Sequence, residues 1–107
     1  MKYEIPREVF KQRLTDKQTF AIVDVQDASR AGKLQFEGTV NIPYDSNFSS
    51  AFANQFPQKQ QNVILFSLTK GDEAPSQAAE SLHSAGYHFV YYYCGTEMDL
   101  VLDKGLN

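Results

Sequence analysis

Cys94 is the only cysteine in this chain of 107 residues. A thiolate is both a nucleophile and a carrier of sulfane sulfur, so this side chain is a candidate for either chemistry. Two imidazoles, His83 and His88, can serve as bases. Paired with the hydroxyl of Ser67 or Thr69, either would make a hydrolase-like arrangement. Asp24 ends an apolar run, where a carboxylate commonly accepts hydrogen bonds from the amides of the next turn. Each of these residues also has a plainer reading: a half-buried cysteine packed after a strand, two surface histidines, and a structural aspartate. No Lys, Arg or His adjoins Cys94 in sequence to activate it.

The elements that must position these residues follow from periodicity. Residues 1–4 read as a short edge strand. Pro6 then opens a helix with Val9, Phe10 and Leu14 at near-helical spacing, ending near Thr15. FAIVDV at 20–25 is apolar on both faces until Asp24, as a buried parallel strand is. TVNI at 39–42 reads as a brief strand stopped by Pro43. Asp45 or Ser46 can cap a helix whose apolar face is Phe48, Ala51, Phe52 and Phe56. VILF at 63–66 is a further buried strand. Pro75 opens a helix with Ala78, Ala79, Leu82 and Ala85 inward, and Gly86 stands where a left-handed cap is needed. FVYYY at 89–93 is the last strand, its alternation placing Tyr91 and Tyr93 on one face. Thr96 with Asp99 resembles a capping box opening a final helix that buries Met98, Val101 and Leu102. Strands alternating with helices imply an α/β domain with a mainly parallel sheet of five strands and helices on both faces. Ligands of such sheets bind beyond the carboxyl ends of the strands, here 24–26, 67–74 and 94–96.

Composition narrows the functions. Ten Lys and Arg against thirteen Asp and Glu leave a formal net charge of −3, and 42% of the residues are hydrophobic. A chain of this length forms one domain, expected to span residues 1–107, and buries about two-thirds of its unfolded surface. No disulfide, structural metal or cofactor is called for. With a pI near 5.2 and scattered cations, the basic footprint of a nucleic-acid binder is missing. Neither a signal peptide nor a membrane span is read, and a lone free thiol suits a reducing compartment, so the expected location is cytoplasmic.

Five segments carry a family resemblance: AIVDV (21–25), GTVNIPY (38–44), NVILFS (62–67), SQAAESLHSAGY (76–87) and FVYYYCG (89–95). In order and spacing they resemble the rhodanese homology family of sulfurtransferase domains over residues 5–103. The resemblance implies a three-layer α/β fold and a loop after the fourth strand, headed in active members by a cysteine. Inward-pointing amides of that loop and the N-terminus of the next helix stabilise the thiolate or persulfide.

Here the implied chemistry departs from the family pattern. Alignment on the strand puts Ser67 at the cysteine position, and alignment on the helix puts Thr69 there, the loop being about two residues longer than usual. A hydroxyl cannot carry sulfane sulfur. The arginine that usually follows Asp-Val is Gln26. The usual His and Pro ahead of the glycine turn are replaced within residues 33–37. The loop holds Lys70 beside Asp72 and Glu73, which leaves it slightly acidic toward an anionic donor. Phosphatases of this fold need the same cysteine with an arginine, so ester hydrolysis falls with it. The expected site is thus Ser67 or Thr69, lined by Asp24, Gln26, Leu68, Lys70, Gly71, Asp72, Glu73 and Ala74. The expected function is an inactive binding or regulatory module whose partner is a protein or a small anionic ligand. The alternative is a thiosulfate- or persulfide-dependent sulfurtransferase using Cys94 as the carrier.

Overall fold

Short β-branched and aromatic runs become strands here, and the segments with apolar spacing of three and four become helices. The computed structural model describes residues 3–15, 20–26, 39–68 and 71–95. In chain order the elements are α1 (Arg7–Thr15), β1 (Phe20–Asp24), β2 (Val40–Asn41), α2 (Phe48–Gln55), β3 (Asn62–Ser67), α3 (Ala74–Ser84) and β4 (Val90–Cys94). The strands lie in the order β2-β1-β3-β4, each pair parallel. Asp24 is therefore in register with Phe66, and Ser67 with Cys94. The ends of three strands meet along one rim of the sheet.

The described residues form four strands, not the expected five. Of the expected edge strand at 1–4, only Tyr3 and Glu4 are among the described residues, and Glu4 makes a single parallel bridge to Tyr92. Ile5 N–H donates to the Tyr92 carbonyl at 2.9 Å, and Tyr92 N–H to the Tyr3 carbonyl at 3.0 Å. Pairing stops there because Pro6 has no N–H, and its carbonyl already accepts from Phe10 at 3.0 Å to begin α1. The final helix expected from Thr96 onward, and most of the segment between β1 and β2, lie outside the described residues.

Each face of the sheet has its own core. On one side α1 lays Phe10 over Ile22, Ile64, Phe66 and Tyr93. The Phe10 ring is stacked on Tyr93 at 4.5 Å and tilted against Phe66 at 5.1 Å. On the other side α2 and α3 bring Phe48, Phe52, Ala78, Ala79 and Leu82 onto Val23, Val63, Leu65 and Tyr92. The alternation placing Tyr91 and Tyr93 on one face and Tyr92 on the other is as read from the sequence. Fully burying a ring such as Phe52 contributes about 2–3 kcal/mol.

Two alanines depart from the expected apolar faces. Ala51 is exposed, because the rings of Phe48, Phe52 and Phe56 already cover that part of the sheet. Ala85 is exposed because α3 has ended one residue earlier and the chain reverses at Gly86, whose φ is +102°. Tyr87 then turns inward, meets Phe52 edge-on at 5.2 Å and donates to the Phe56 carbonyl at 2.6 Å. Neither Asp45 nor Ser46 caps α2 as expected: the N-cap is Asn47, without a side-chain cap bond, and Asp45 Oδ1 instead accepts from the Asn47 amide at 2.8 Å.

Candidate functional site

The rim at the carboxyl ends of β1, β3 and β4 holds a connected polar cluster. Each strand runs apolar through the core and changes to a polar residue as it emerges, at Asp24, Ser67 and Cys94. Asp24 Oδ1 accepts from the Gln26 amide at 2.9 Å, which bends the chain sharply after β1, and Gln26 Nε2 approaches Asp24 Oδ2 at 3.4 Å. Asn41 Nδ2 donates to the carbonyls of Asp24 and Gln26 at 2.8 and 2.9 Å and so fastens the same turn from β2. Tyr44 N–H adds a bond to the Val25 carbonyl at 3.0 Å. Asp24 and Gln26 are both buried.

Ser67 is 0% exposed. Its Oγ donates to Asp72 Oδ2 at 2.8 Å and lies 3.4 Å from Gln26 Oε1. The other Asp72 oxygen accepts from the Ala74 amide at 2.9 Å, at the first turn of α3. One carboxylate thus spans the end of β3 and the start of the following helix. Gly71, at φ +81°, supplies the left-handed turn that brings Asp72 back to this position. Glu73 is exposed, and its Oε1 accepts from Gln77 Nε2 at 3.2 Å. Leu68 is half-buried against the α1 side of the core. Thr69 and Lys70 lie outside the described residues.

Cys94 is half-buried, and its Sγ donates to the Asp72 carbonyl at 3.3 Å. Burial pushes the thiol above its ordinary pKa. The amides of Asp72 and Gly71 pull it back, while the charges of Asp72 and Glu4 push it up again. The net direction is upward, away from the thiolate. Burial likewise raises the Asp24 carboxyl. The bonds from Gln26 oppose that rise, and the charge of Asp72 adds to it.

The expected residues therefore divide. Asp24, Gln26, Ser67, Asp72, Ala74 and Cys94 are brought together, whereas neither histidine joins them. His83 Nε2 lies 3.2 Å from the carbonyl of Val90, at the opposite end of β4 and about 13 Å of strand from Cys94. Its ring stacks on Tyr3 at 4.2 Å. His88 is exposed. The expectation read Asp72 only as a charge on the loop and missed its two bonds. The readable signal was an Asp two residues ahead of Ala-Pro at a helix start, where it can take the first free amide. Asn41 was also missed, although a lone amide in an apolar strand marks a backbone clamp. Among the described residues, no group of three or more His, Cys, Asp or Glu is placed to hold a metal ion. No helix among them is long and apolar enough to cross a membrane.

No protein-family model matches the chain, and no curated protein does. Solved structures do. The rhodanese-like domain of the Alr3790 protein from Anabaena superposes with a TM-score of 0.70 at 27% identity, covering 92% of this chain and 72% of that one. An uncharacterized protein from Saccharomyces cerevisiae superposes at 0.74 with 20% identity, over 95% and 92% of the two chains. A thiosulfate sulfurtransferase from Pseudomonas aeruginosa superposes at 0.69 with 18% identity, over 84% of this chain and only 17% of that enzyme. The order of elements, the parallel sheet and these superpositions agree on one frame: the chain has a rhodanese-like fold.

Proposed function

We propose, with that rhodanese-like frame as the premise, that this protein is a catalytically inactive binding or regulatory module acting through the rim of Gln26, the loop of residues 67–75 and Cys94. The observation that carries the reading is the placement of Asp72. Its carboxylate bonds both the Ser67 hydroxyl at 2.8 Å and the Ala74 amide at 2.9 Å. In a sulfur-transferring loop of this kind, such a position suits the anionic sulfur. Here the chain's own carboxylate sits beside a hydroxyl that cannot form a persulfide. A small external anion would meet that negative charge, so the reading favours a protein partner over thiosulfate-like ligands.

Cys94 is the other candidate carrier. Its raised pKa and its bond to the Asp72 carbonyl weigh against a reactive thiolate. The test is sulfur transfer from thiosulfate to cyanide by the natural chain and by Cys94→Ser, with intact mass after incubation with thiosulfate. We expect no turnover and no sulfur-sized mass gain. Turnover and an adduct that both vanish in Cys94→Ser would replace this reading with a sulfurtransferase working through Cys94.

A further inference from the structure

A second surface lies away from the rim, between α3 and the outer side of β4. It is a groove of ≈ 530 Å³ with Tyr92 and Ala79 at its base, Tyr3 and His83 on one wall, and Ser76 and Glu80 along α3. The helical members are spaced three and four apart, so one face of α3 forms the whole side of the groove. The volume is within the range of about 300–1,000 Å³ of clefts that hold small ligands or side chains.

The lining has two properties that together specify a guest. It is aromatic: the Tyr3 and His83 rings stack on each other at 4.2 Å and 30°, which leaves one outer ring face on each side of the stack, and Tyr92 lines the groove with them. It is also negative. Glu80 is exposed on the groove, no Lys or Arg lines it among the described residues, and the carboxylates of Glu4 and Glu80 reinforce burial in keeping the Tyr92 phenol protonated. A planar cation matches both, since a guanidinium stacks on ring faces while its N–H groups pair with a carboxylate.

We infer that this groove receives an arginine side chain of a partner polypeptide, the guanidinium lying on an outer face of the Tyr3–His83 stack with Glu80 as its counter-charge. The inference stands apart from the chemistry of the rim, because none of the groove residues belongs to the cluster around Ser67. Sulfur-transfer activity of either sign leaves it untouched.

The experiment is a titration of the isotope-labelled full chain, followed by amide chemical shifts. The probes are Nα-acetyl-arginine amide and its neutral isostere Nα-acetyl-citrulline amide. Shifts are expected for arginine at Ala79, Glu80, His83 and Tyr92, with citrulline leaving them in place. Glu80→Gln, an exposed helix position whose remaining spectrum reports the intact fold, is expected to weaken arginine about fivefold. Equal shifts with citrulline, arginine shifts located elsewhere or absent, or an unchanged affinity in Glu80→Gln would each overturn the assignment.

Discussion

Placing a thiol at residue 67 tests directly whether Asp72 controls this rim. On a Cys94→Ser background, Ser67→Cys makes the introduced thiol the only one in the protein. The hydroxyl it replaces sits 2.8 Å from an Asp72 oxygen. Two unit charges at that separation, in an effective dielectric of about 20, repel by about 6 kcal/mol. That equals roughly four pKa units. The longer C–S bond and side-chain adjustment reduce the effect, so we expect the thiol to titrate at least about one unit above the ordinary value near 8.5. Adding Asp72→Asn removes the charge yet leaves an oxygen for the Ala74 amide, and its NH₂ can donate to a thiolate. The titration midpoint is then expected to fall by at least about one unit. Burial at residue 67 is common to both variants, so the difference isolates the carboxylate. The assay is the pH dependence of iodoacetamide alkylation followed by intact mass, together with sulfur loading from thiosulfate. Equal midpoints in the two variants would refute the electrostatic argument, as would prompt sulfur loading of Ser67→Cys with Asp72 in place.

Two further outcomes follow from burial and close packing. Asp24 has a folded-state pKa raised above its usual 3.8, chiefly by burial. Its contribution to stability is therefore fully present below the unfolded value and is lost as pH rises through the folded one. Relative to Asp24→Asn, the natural chain should be favoured in acid and lose ground as pH rises from about 4 toward neutrality. Urea denaturation of both proteins at pH 4 and 7 measures this, and a pH-independent difference or one of opposite sign would count against it. At Gly95 an added Cβ would run into the Tyr93 ring, which is held between Phe10 and the sheet. Gly95→Ala should cost about 1–3 kcal/mol in the same denaturation assay, and an unchanged midpoint would mean that the ring moves aside freely.

The architecture was legible because both of its signals are local. Two-sided apolar runs such as FAIVD and NVILFS can only be central parallel strands, and Phe48 with Phe52 sets a helix face by spacing alone. Gly86 was legible for a similar reason, since a left-handed turn after a helix has few other occupants. The edge strand was not, because a one-residue bridge depends on how the Tyr3–Ile5 stretch meets Tyr92, which is far away in sequence. At the rim, the meeting of Asp24, Ser67 and Cys94 was legible from their strand ends, while Asn41 and the wiring between the side chains were not. Asp24 read as a residue that orders its own turn, and it does so through Gln26. Whether Asp72 faces solvent or Ser67 is decided by the backbone reversal at Gly71, which composition and spacing do not encode.

The outer flank of β4 has a consequence for the protein in concentrated solution. Tyr92 spends its outward N–H and C=O on Tyr3 and Ile5, and the Val90 carbonyl is met by the His83 ring. A strand from another molecule finds few unpaired groups there to template on, and the opposite flank, β2, is only two residues long. Parallel sheets with accessible borders are prone to stack edge to edge into aggregates. Here an aromatic side chain and three residues of irregular backbone serve as a guard against self-association, at a place where a fifth full strand would only have moved the exposed border outward.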